Sequence, residues 1–476
     1  MPKTANGDFY FMNSRVRRIK LRGYMKGRIE KDFTQGPIFK QMIIFALPLI
    51  FTNILQILFN TADVIVLGIL VDDTAVAAVG STGSLINLIT SLFIGLSVGV
   101  NVLASKNLGE HNEEGVRRTI GMSILLSLIF GAVLVGIGWF GAGFFLKLMK
   151  SDPAVIGLST KYVQVYFLGV PLVILYNFLS SIMRAAGDSK RPLIYLLIGG
   201  IVNVVLNVFF IAVVGLKVEG VAIATVVSQG ISALLCLIQL IRAKGTVKLK
   251  AKYLRFYKKE LLEIIKIGVP SGIQGSLFSL SNVFIQKTIN LCGETAMSGS
   301  AYAVQIEAYV YVAMNAVSVA IMSFISQNYG AQKFDRIFKT IAYGLIITST
   351  IGVALGGIGS LLCKPIVSAI SNDPEVVDYA FSRILIVCLP YFICGIMEIF
   401  SYTMRALGKS STSMIICLLG SCVLRIVWVN VMFAVIPSYN LIFVSYPATW
   451  IITAAALCLV LMPMLKKLKI QASLQN

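Results

Sequence analysis

A stripe of polar side chains interrupts the first long apolar run of the sequence. The run covers residues 42–70, and the stripe recurs at intervals of three, four and three residues: Asn53, Gln56, Asn60 and Asp63. A helix would place all of them on one face. Carboxylate and amide oxygens can bind a hard cation, and burial favours the protonated form of a carboxylate. Asp63 is therefore a candidate group for coupling to Na⁺ or H⁺, and Asn60 a candidate cavity residue.

A second polar pair lies in a later apolar run. Asn203 and Asn207 are four residues apart, so a helix would again place both on one face. Amide side chains can also join helices by hydrogen bonds in a membrane. A structural role for the asparagines therefore stays open beside the ion-binding role.

Three acidic residues lie well inside apolar runs. Of the 21 acidic residues in the chain, these three are Asp63, Glu307 and Glu398. A charge at the centre of a bilayer costs about 2.5–3.5 kcal/mol on insertion scales. Each of these groups therefore needs a partner, a proton or a water-filled cavity, and we expect Glu307 and Glu398 to line a cavity in the second half of the chain.

Two further spacings concern those acids. Glu307, Tyr311 and Asn315 recur every four residues and form a third stripe. Arg425 is the one base that the sequence places deeply in an apolar run, which predicts a buried pair with Glu398.

The elements that must hold these side chains are membrane-spanning helices. The chain has 476 residues, of which 57% are hydrophobic and 13% charged. An α-helix needs about 20 apolar residues to cross a bilayer. Twelve runs meet this length: 42–70, 75–104, 119–146, 160–183, 192–214, 220–241, 262–291, 296–326, 340–362, 381–404, 412–436 and 441–464. Pro48, Pro171, Pro270 and Pro390 lie inside them, where proline permits bending.

The net charge of +20 is unevenly placed along the chain. Most Lys and Arg residues lie in the amino-terminal tail, in alternate loops and in the carboxyl-terminal tail. This bias predicts a plasma-membrane protein with both termini in the cytoplasm, and it argues against nucleic-acid binding. The basic segment 15–28 is then placed to contact anionic lipid headgroups.

The residues that would hold a metal or a nucleotide are sparse. The 8 cysteines form no C-x-x-C pair, the 1 histidine is His111 in a loop, and no Walker motif occurs. We therefore expect no cofactor, no intramembrane enzyme and no direct use of ATP.

Two halves of the sequence resemble each other at a constant offset. SKNLG from Ser105 matches SQNYG from Ser326, and MRAAGDS from Met183 matches MRALGKS from Met404, each 221 residues apart. Asp152-Pro153 and Asp373-Pro374 share that offset. An even number of helices per half gives both halves one orientation, and transporters commonly bind substrate between such repeats.

The predicted architecture is thus an all-α polytopic membrane protein with twelve helices in two six-helix lobes, related by a pseudo-two-fold axis along the membrane normal. The predicted parts are a basic tail (1–41), an N-lobe (42–241), a cytoplasmic linker (242–261), a C-lobe (262–465) and a second tail (466–476).

The sequence resembles the MATE (multidrug and toxic compound extrusion) family. The segment LPLIFTNILQILFNTADVIVLG, the segment AAVGSTGSLINLITSLFIGLSVGVNVLASKNLGE and the paired MRA-x-G motifs carry the resemblance, which covers residues 37–465 and is closer to the bacterial DinF-like branch. It implies an antiporter that exports amphipathic, often cationic organic compounds in exchange for H⁺ or Na⁺. We expect the protein to be a monomer.

The resemblance also implies site residues. Asp63, Asn203, Asn207 and Thr225 fall at the family's ion site, and Tyr162 and Asn177 near the same cavity. Asn207 stands where the family has a second acid, which lowers the attraction for Na⁺ and favours H⁺. The family's seventh-span glutamate is absent from GIQGSLFSLSN, so Glu307 and Glu398 are the available acids of the second half.

A flippase for lipid-linked saccharides is the alternative function, because related flippases share this architecture. Such a protein would need several cationic cavity residues to hold a pyrophosphate. The deep charges found here are mainly acidic, which favours organic cations as substrates.

Overall fold

The computed structural model describes residues 30–149, 153 and 155–473, and this part of the chain is almost entirely helical, without β-strands. The first half contributes six helices: α1 Ile38–Leu70, α2 Asp73–Gly109, α3 Glu113–Leu148, α4 Ile156–Ala185, α5 Lys190–Val208 and α6 Val218–Arg242. The second half contributes α7 Lys258–Asn290, α8 Glu294–Gly330, α9 Phe334–Ser368, α10 Pro374–Val387, α11 Tyr391–Ala406, α12 Ser410–Cys417, α13 Leu424–Val435 and α14 Tyr439–Ser473.

Each predicted apolar run coincides with a helix or with a pair of helices. Ten helices of the described chain are long and apolar enough to cross a membrane, counting α5 with its π-helical end Phe209–Val213, and α12 with α13, as single helices. The pair α10 and α11, bent by 45°, would be an eleventh. Helix α7 is long enough but carries several Ser and Gln residues, so that the number twelve stays a prediction.

Proline has different effects at the four predicted bends. Pro48, Pro171 and Pro270 lie inside the continuous helices α1, α4 and α7. Pro390 alone stands at a break, immediately before α11. Proline lacks the N–H that would continue the helical hydrogen bonds, which accounts for the separation of α10 from α11.

The three largest clusters of buried apolar residues are one in each half and one that joins the halves. The first draws its members from residues 85–264 and the second from residues 285–461. The third combines Phe33 and Phe45 with Phe324 of α8 and Leu468 of α14. Residues near both ends of the described chain therefore lie at the same end of the molecule, which we call the terminal end.

Glycines allow the two halves to touch at the terminal end. A Cβ atom added at Gly109 would overlap the carbonyl of Gln327, and one added at Gly330 would overlap the carbonyl of Lys106. Farther along α2, Gly95 meets the backbone of α7 at Gly272. Such backbone contact leaves no room for a passage between α2 and its partners α7 and α8 at this end.

Some predictions concern residues outside the described chain. The basic segment 15–28, Asp152 of the repeat and the last residues of the second tail, 474–476, belong to this group. The division into two lobes and two tails stays a prediction.

Candidate ion and substrate site

Three helices bring the predicted ion-site residues together. Asn207 of α5 donates a hydrogen bond from Nδ2 to Oδ1 of Asp63 on α1, with 2.5 Å between the atoms. Asn203, one turn earlier on α5, donates from Nδ2 to Oγ1 of Thr225 on α6 at 3.4 Å. Asn203 and Thr225 also lie close to the carboxylate of Asp63. The four residues that the resemblance implied therefore form one cluster, the Asp63 cluster.

The Asp63 cluster holds an acid without a basic partner. None of the ion pairs in the described chain includes Asp63. Side-chain Oδ1 atoms of Asn203 and Asn207 are buried without a hydrogen-bond partner. Oxygen atoms are the ligands that hard cations prefer, so the cluster offers a carboxylate and two free amide oxygens to such an ion. Protonation of Asp63 would neutralise the same charge.

A cavity of about 430 Å³ is lined mainly by helices of the first half and closed on one side by α8 and α11 of the second half. Amide side chains dominate its polar surface: Asn53, Gln56, Asn60, Asn87, Asn101, Asn177, Gln229 and Asn315. Rings of Phe59, Phe93, Tyr166, Tyr176 and Tyr402 supply much of its apolar surface. The cavity thus combines flat apolar surfaces with many neutral hydrogen-bonding groups.

The cavity includes two of the predicted residues and adjoins a third. Asn60 and Asn177 line it directly. Tyr162 is buried beside it, with its ring centroid 6.2 Å from that of the cavity residue Tyr166. Both tyrosines lie close enough to Asp63 to interact with its charge. The Asp63 cluster and the cavity are therefore neighbours.

Glu307 does not line this cavity, contrary to the expectation from the sequence. It is 7% exposed and accepts hydrogen bonds from Arg383 of α10, at 2.7 Å to Oε1 and 2.8 Å to Oε2. Arg383 also donates to Ser300. The prediction that Arg425 is the only deep base is wrong, because Arg383 is buried as well. The sequence placed Arg383 near the end of the run 381–404, whereas the helix α10 already begins at Pro374.

The predicted pair of Glu398 and Arg425 is also wrong. Glu398 accepts hydrogen bonds from the Tyr311 hydroxyl at 3.0 Å and from the Asn315 amide at 3.3 Å. Asn315 lines the cavity, but Glu398 is absent from the lining among the described residues. Tyr311 and Asn315 of the predicted stripe thus form hydrogen bonds with Glu398, while the third residue, Glu307, pairs with Arg383.

Arg425 turns toward α14 and finds neutral partners there. Its guanidinium donates to Oγ1 of Thr449 at 3.0 Å and lies 4.1 Å from the centroid of the Tyr446 ring. An aromatic face attracts a cation and replaces part of its solvation. Arg425 is therefore accommodated without a carboxylate.

A family profile decides what kind of protein this is. The sequence profile of the MatE family matches residues 48–209 and, a second time, residues 270–431. The chain belongs to the MatE family. It is a multi-pass membrane transporter and not an enzyme. The two MatE matches begin at Pro48 and Pro270, and they confirm the repeat in the sequence.

Other proteins of this MatE type are similar over most of their length. Probable multidrug resistance protein YoeA of Bacillus subtilis is 29% identical over 378 residues, which cover 78% of this chain and 82% of that protein. Probable multidrug resistance protein YpnP of the same species is 26% identical over 398 residues, which cover 83% and 88%.

Solved structures of the MatE kind share the fold. A crystal structure of MATE in the bent conformation superposes with a TM-score of 0.86 at 20% identity, and the match covers 93% of this chain and 98% of that chain. This likeness confirms the all-helical membrane fold that the sequence predicted.

Sequence reasoning missed several residues of the MatE cavity. Asn87, Asn101, Gln229 and Arg184 line it, although none was singled out from the sequence. Asn101 is 1% exposed and binds Ser181 and Ser323 from opposite halves. The available signal was that an asparagine is costly within an apolar run unless it has partners.

Proposed function

We propose that this chain exports small amphipathic organic compounds, cationic ones among them, in exchange for H⁺ or Na⁺. The observation that carries the proposal is the adjacency of two features. An unpaired carboxylate with free amide oxygens lies beside a cavity to which both halves contribute, and the cavity is lined by rings and amides. Aromatic rings can hold apolar or cationic compounds, and amides adapt to varied hydrogen-bonding groups.

Coupling would operate through the charge of Asp63. An isolated carboxylate in a low-dielectric site is unfavourable until a proton or Na⁺ neutralises it. Binding of either ion changes the hydrogen bonds between α1 and α5, and α1 carries Pro48, where a bend is possible. Inward movement of one positive charge releases about 2.3 kcal/mol per 100 mV of membrane potential.

Alternating access would need the terminal end to separate. The close contacts at Gly109 and Gly330 support a state in which the cavity is shut at that end. In the other state α2 and α8 would part there and the opposite ends would approach. We propose that the protein acts as a monomer in the plasma membrane, with both termini and hence the terminal end in the cytoplasm.

The relatives and the cavity both favour small compounds over lipid-linked saccharides. YoeA and YpnP are described as probable multidrug resistance proteins. A pyrophosphate-linked lipid would need several cations, whereas the described lining of the cavity contains a single arginine. Export of small organic compounds is therefore the function proposed.

The test is transport by the purified protein in liposomes. A fluorescent organic cation would be measured under a proton gradient and a Na⁺ gradient imposed separately. We expect accumulation against the dye gradient in one of the two conditions, and its loss in Asp63→Asn. Asp335→Asn, which alters an exposed acid at the start of α9, is the matched control. Continued accumulation by Asp63→Asn would exclude Asp63 as the coupling group.

A further inference from the structure

Arg184 is the one charged side chain among the described residues that line the central cavity. It belongs to the last turn of α4, close to the terminal end. All other polar groups of the lining are amides, hydroxyls and phenols. The electrostatic character of the cavity is therefore positive at one place, and no acid of the lining offsets it.

The hydrogen-bonding capacity of Arg184 is largely unused. Its NH2 group donates to Oγ of Ser181 at 2.6 Å, and its Nε is buried without a partner. No carboxylate of the described chain pairs with it. A guanidinium has five N–H donors in a planar fork that matches a carboxylate or a phosphate. The part of this fork that lines the cavity thus keeps donor capacity for an anionic group.

The repeat provides an internal comparison. Arg405 occupies the same place in MRALGKS as Arg184 does in MRAAGDS. Its guanidinium lies 4.5 Å from the centroid of the Tyr402 ring, and Tyr402 rather than Arg405 forms the cavity wall. A ring therefore covers the second arginine, while the first faces the cavity. One motif leads to two environments, and only that of Arg184 is open to a ligand.

We propose that Arg184 binds an acidic group of the transported compound, a carboxylate or a phosphate. The compound's rings would lie against Phe59, Phe93 and Tyr166, and its remaining polar groups would contact the amides. This inference rests on the proposed function and extends its substrates to zwitterionic and anionic amphiphiles. A charge-assisted, two-point hydrogen bond to a carboxylate is strong enough to select such compounds.

The test compares two dyes with one ring system. Rhodamine B carries a free carboxylate, and its ethyl ester lacks that charge. Binding of each to purified protein in a neutral detergent, without any ion gradient, gives two dissociation constants per variant. For Arg184→Gln we expect the affinity for rhodamine B to fall about tenfold, because one charge-assisted interaction is lost, while that for the ester changes less than about twofold.

Three variants keep the comparison decisive. Arg184→Lys retains the charge but not the fork, so its loss for rhodamine B should be smaller than that of Arg184→Gln. Arg405→Gln is the matched control from the repeat, and Lys190→Gln alters an exposed cation near the same loop. Both controls should keep the wild-type preference. If Arg184→Gln does not fold, the ratio of the two affinities in Arg184→Lys decides.

Several results would overturn the proposal. Equal loss of both dyes, or no change in either, would show that Arg184 does not read the carboxylate. Addition of phosphatidylglycerol tests a lipid headgroup as the source of the anion, and displacement of rhodamine B from the wild type would count against a transported ligand. An unchanged affinity for rhodamine B in the presence of this lipid would support a transported ligand. Failure of the proposed function appears separately, as absence of ion-driven transport in liposomes.

Discussion

Phe33 and Gln327 are 294 residues apart in the sequence and are joined by a hydrogen bond from the Phe33 N–H to Oε1 of Gln327 at 3.0 Å. The Nε2 atom of the same glutamine donates to the Ala185 carbonyl at 2.6 Å. Phe33 in addition stacks on Phe324, with 3.8 Å between centroids. One amide of α8 thus connects the segment before α1 with the end of α4.

This connection predicts the effect of Gln327→Leu. Loss of both hydrogen bonds leaves two buried backbone groups without partners, at about 1–3 kcal/mol each. We expect a lower melting temperature and more frequent opening of the terminal end. Thermal unfolding and labelling of a cysteine placed at Lys31 measure the two effects. Gln286→Leu, on the more exposed α7 surface, is the control. Unchanged labelling would contradict the role.

The contact of α2 with α8 gives a second prediction. A side chain at Gly330 would overlap the Lys106 carbonyl, so Gly330→Val should force the helices apart. We expect the variant to favour the state that is open at the terminal end and to transport poorly. Gly357→Val adds the same side chain to α9 with nothing within 4 Å. Equal transport rates for both variants would refute the prediction.

Glu307 and Arg383 give a third prediction, which replaces the one made from the sequence. The two side chains are buried and joined by two parallel hydrogen bonds. Removal of one partner leaves an unpaired buried charge, at a cost of about 3–5 kcal/mol. Glu307→Gln should therefore reduce stability, and transport of all substrates alike. The double variant Glu307→Gln with Arg383→Met should recover part of the lost melting temperature. If Glu307→Gln instead reduced the transport of cationic dyes alone, at normal stability, Glu307 would contact substrate as the sequence predicted.

The Asp63 cluster gives a fourth prediction. Asn207→Asp adds a second carboxylate next to Asp63, at the position where the resembled family has an acid. Two carboxylates attract Na⁺ more strongly than one, so transport should show a new or lower half-saturating Na⁺ concentration. Asn177→Asp, in the cavity wall, is the control. An unchanged Na⁺ dependence would show that the number of carboxylates at this site does not set the affinity for Na⁺.

The positive-inside pattern gives a fifth prediction. Both MRA-x-G loops should face the cytoplasm. Ser189 and Ser410 are buried, so the exposed neighbours Lys190 and Lys409 are the positions to label. Cysteines there, after replacement of the 8 native cysteines, should be protected from an impermeant reagent in intact cells. Labelling of either position from outside would invert the proposed orientation.

The amino-acid sequence determined where the helices lie and that the chain repeats. Apolar length is a local property, and each predicted run coincides with helical structure. The stripe spacing that placed Asp63 with Asn60 on one face is local too, as is the pair Asn203 and Asn207. The resemblance then identified Thr225 as a partner, and the structure brings it to the same cluster.

The partners of charged residues were decided by tertiary packing alone. Glu398 meets Tyr311 rather than Arg425, because α11 turns that acid toward α8 while Arg425 faces α14. Arg184 and Arg405 share a sequence motif, yet only one of them faces the cavity. Such contacts depend on how each helix is rotated about its axis and on which helices lie next to it. Neither property is encoded in a short segment of sequence. A long-range contact depends on the whole packed chain, whereas helix formation depends mainly on residues within a few turns.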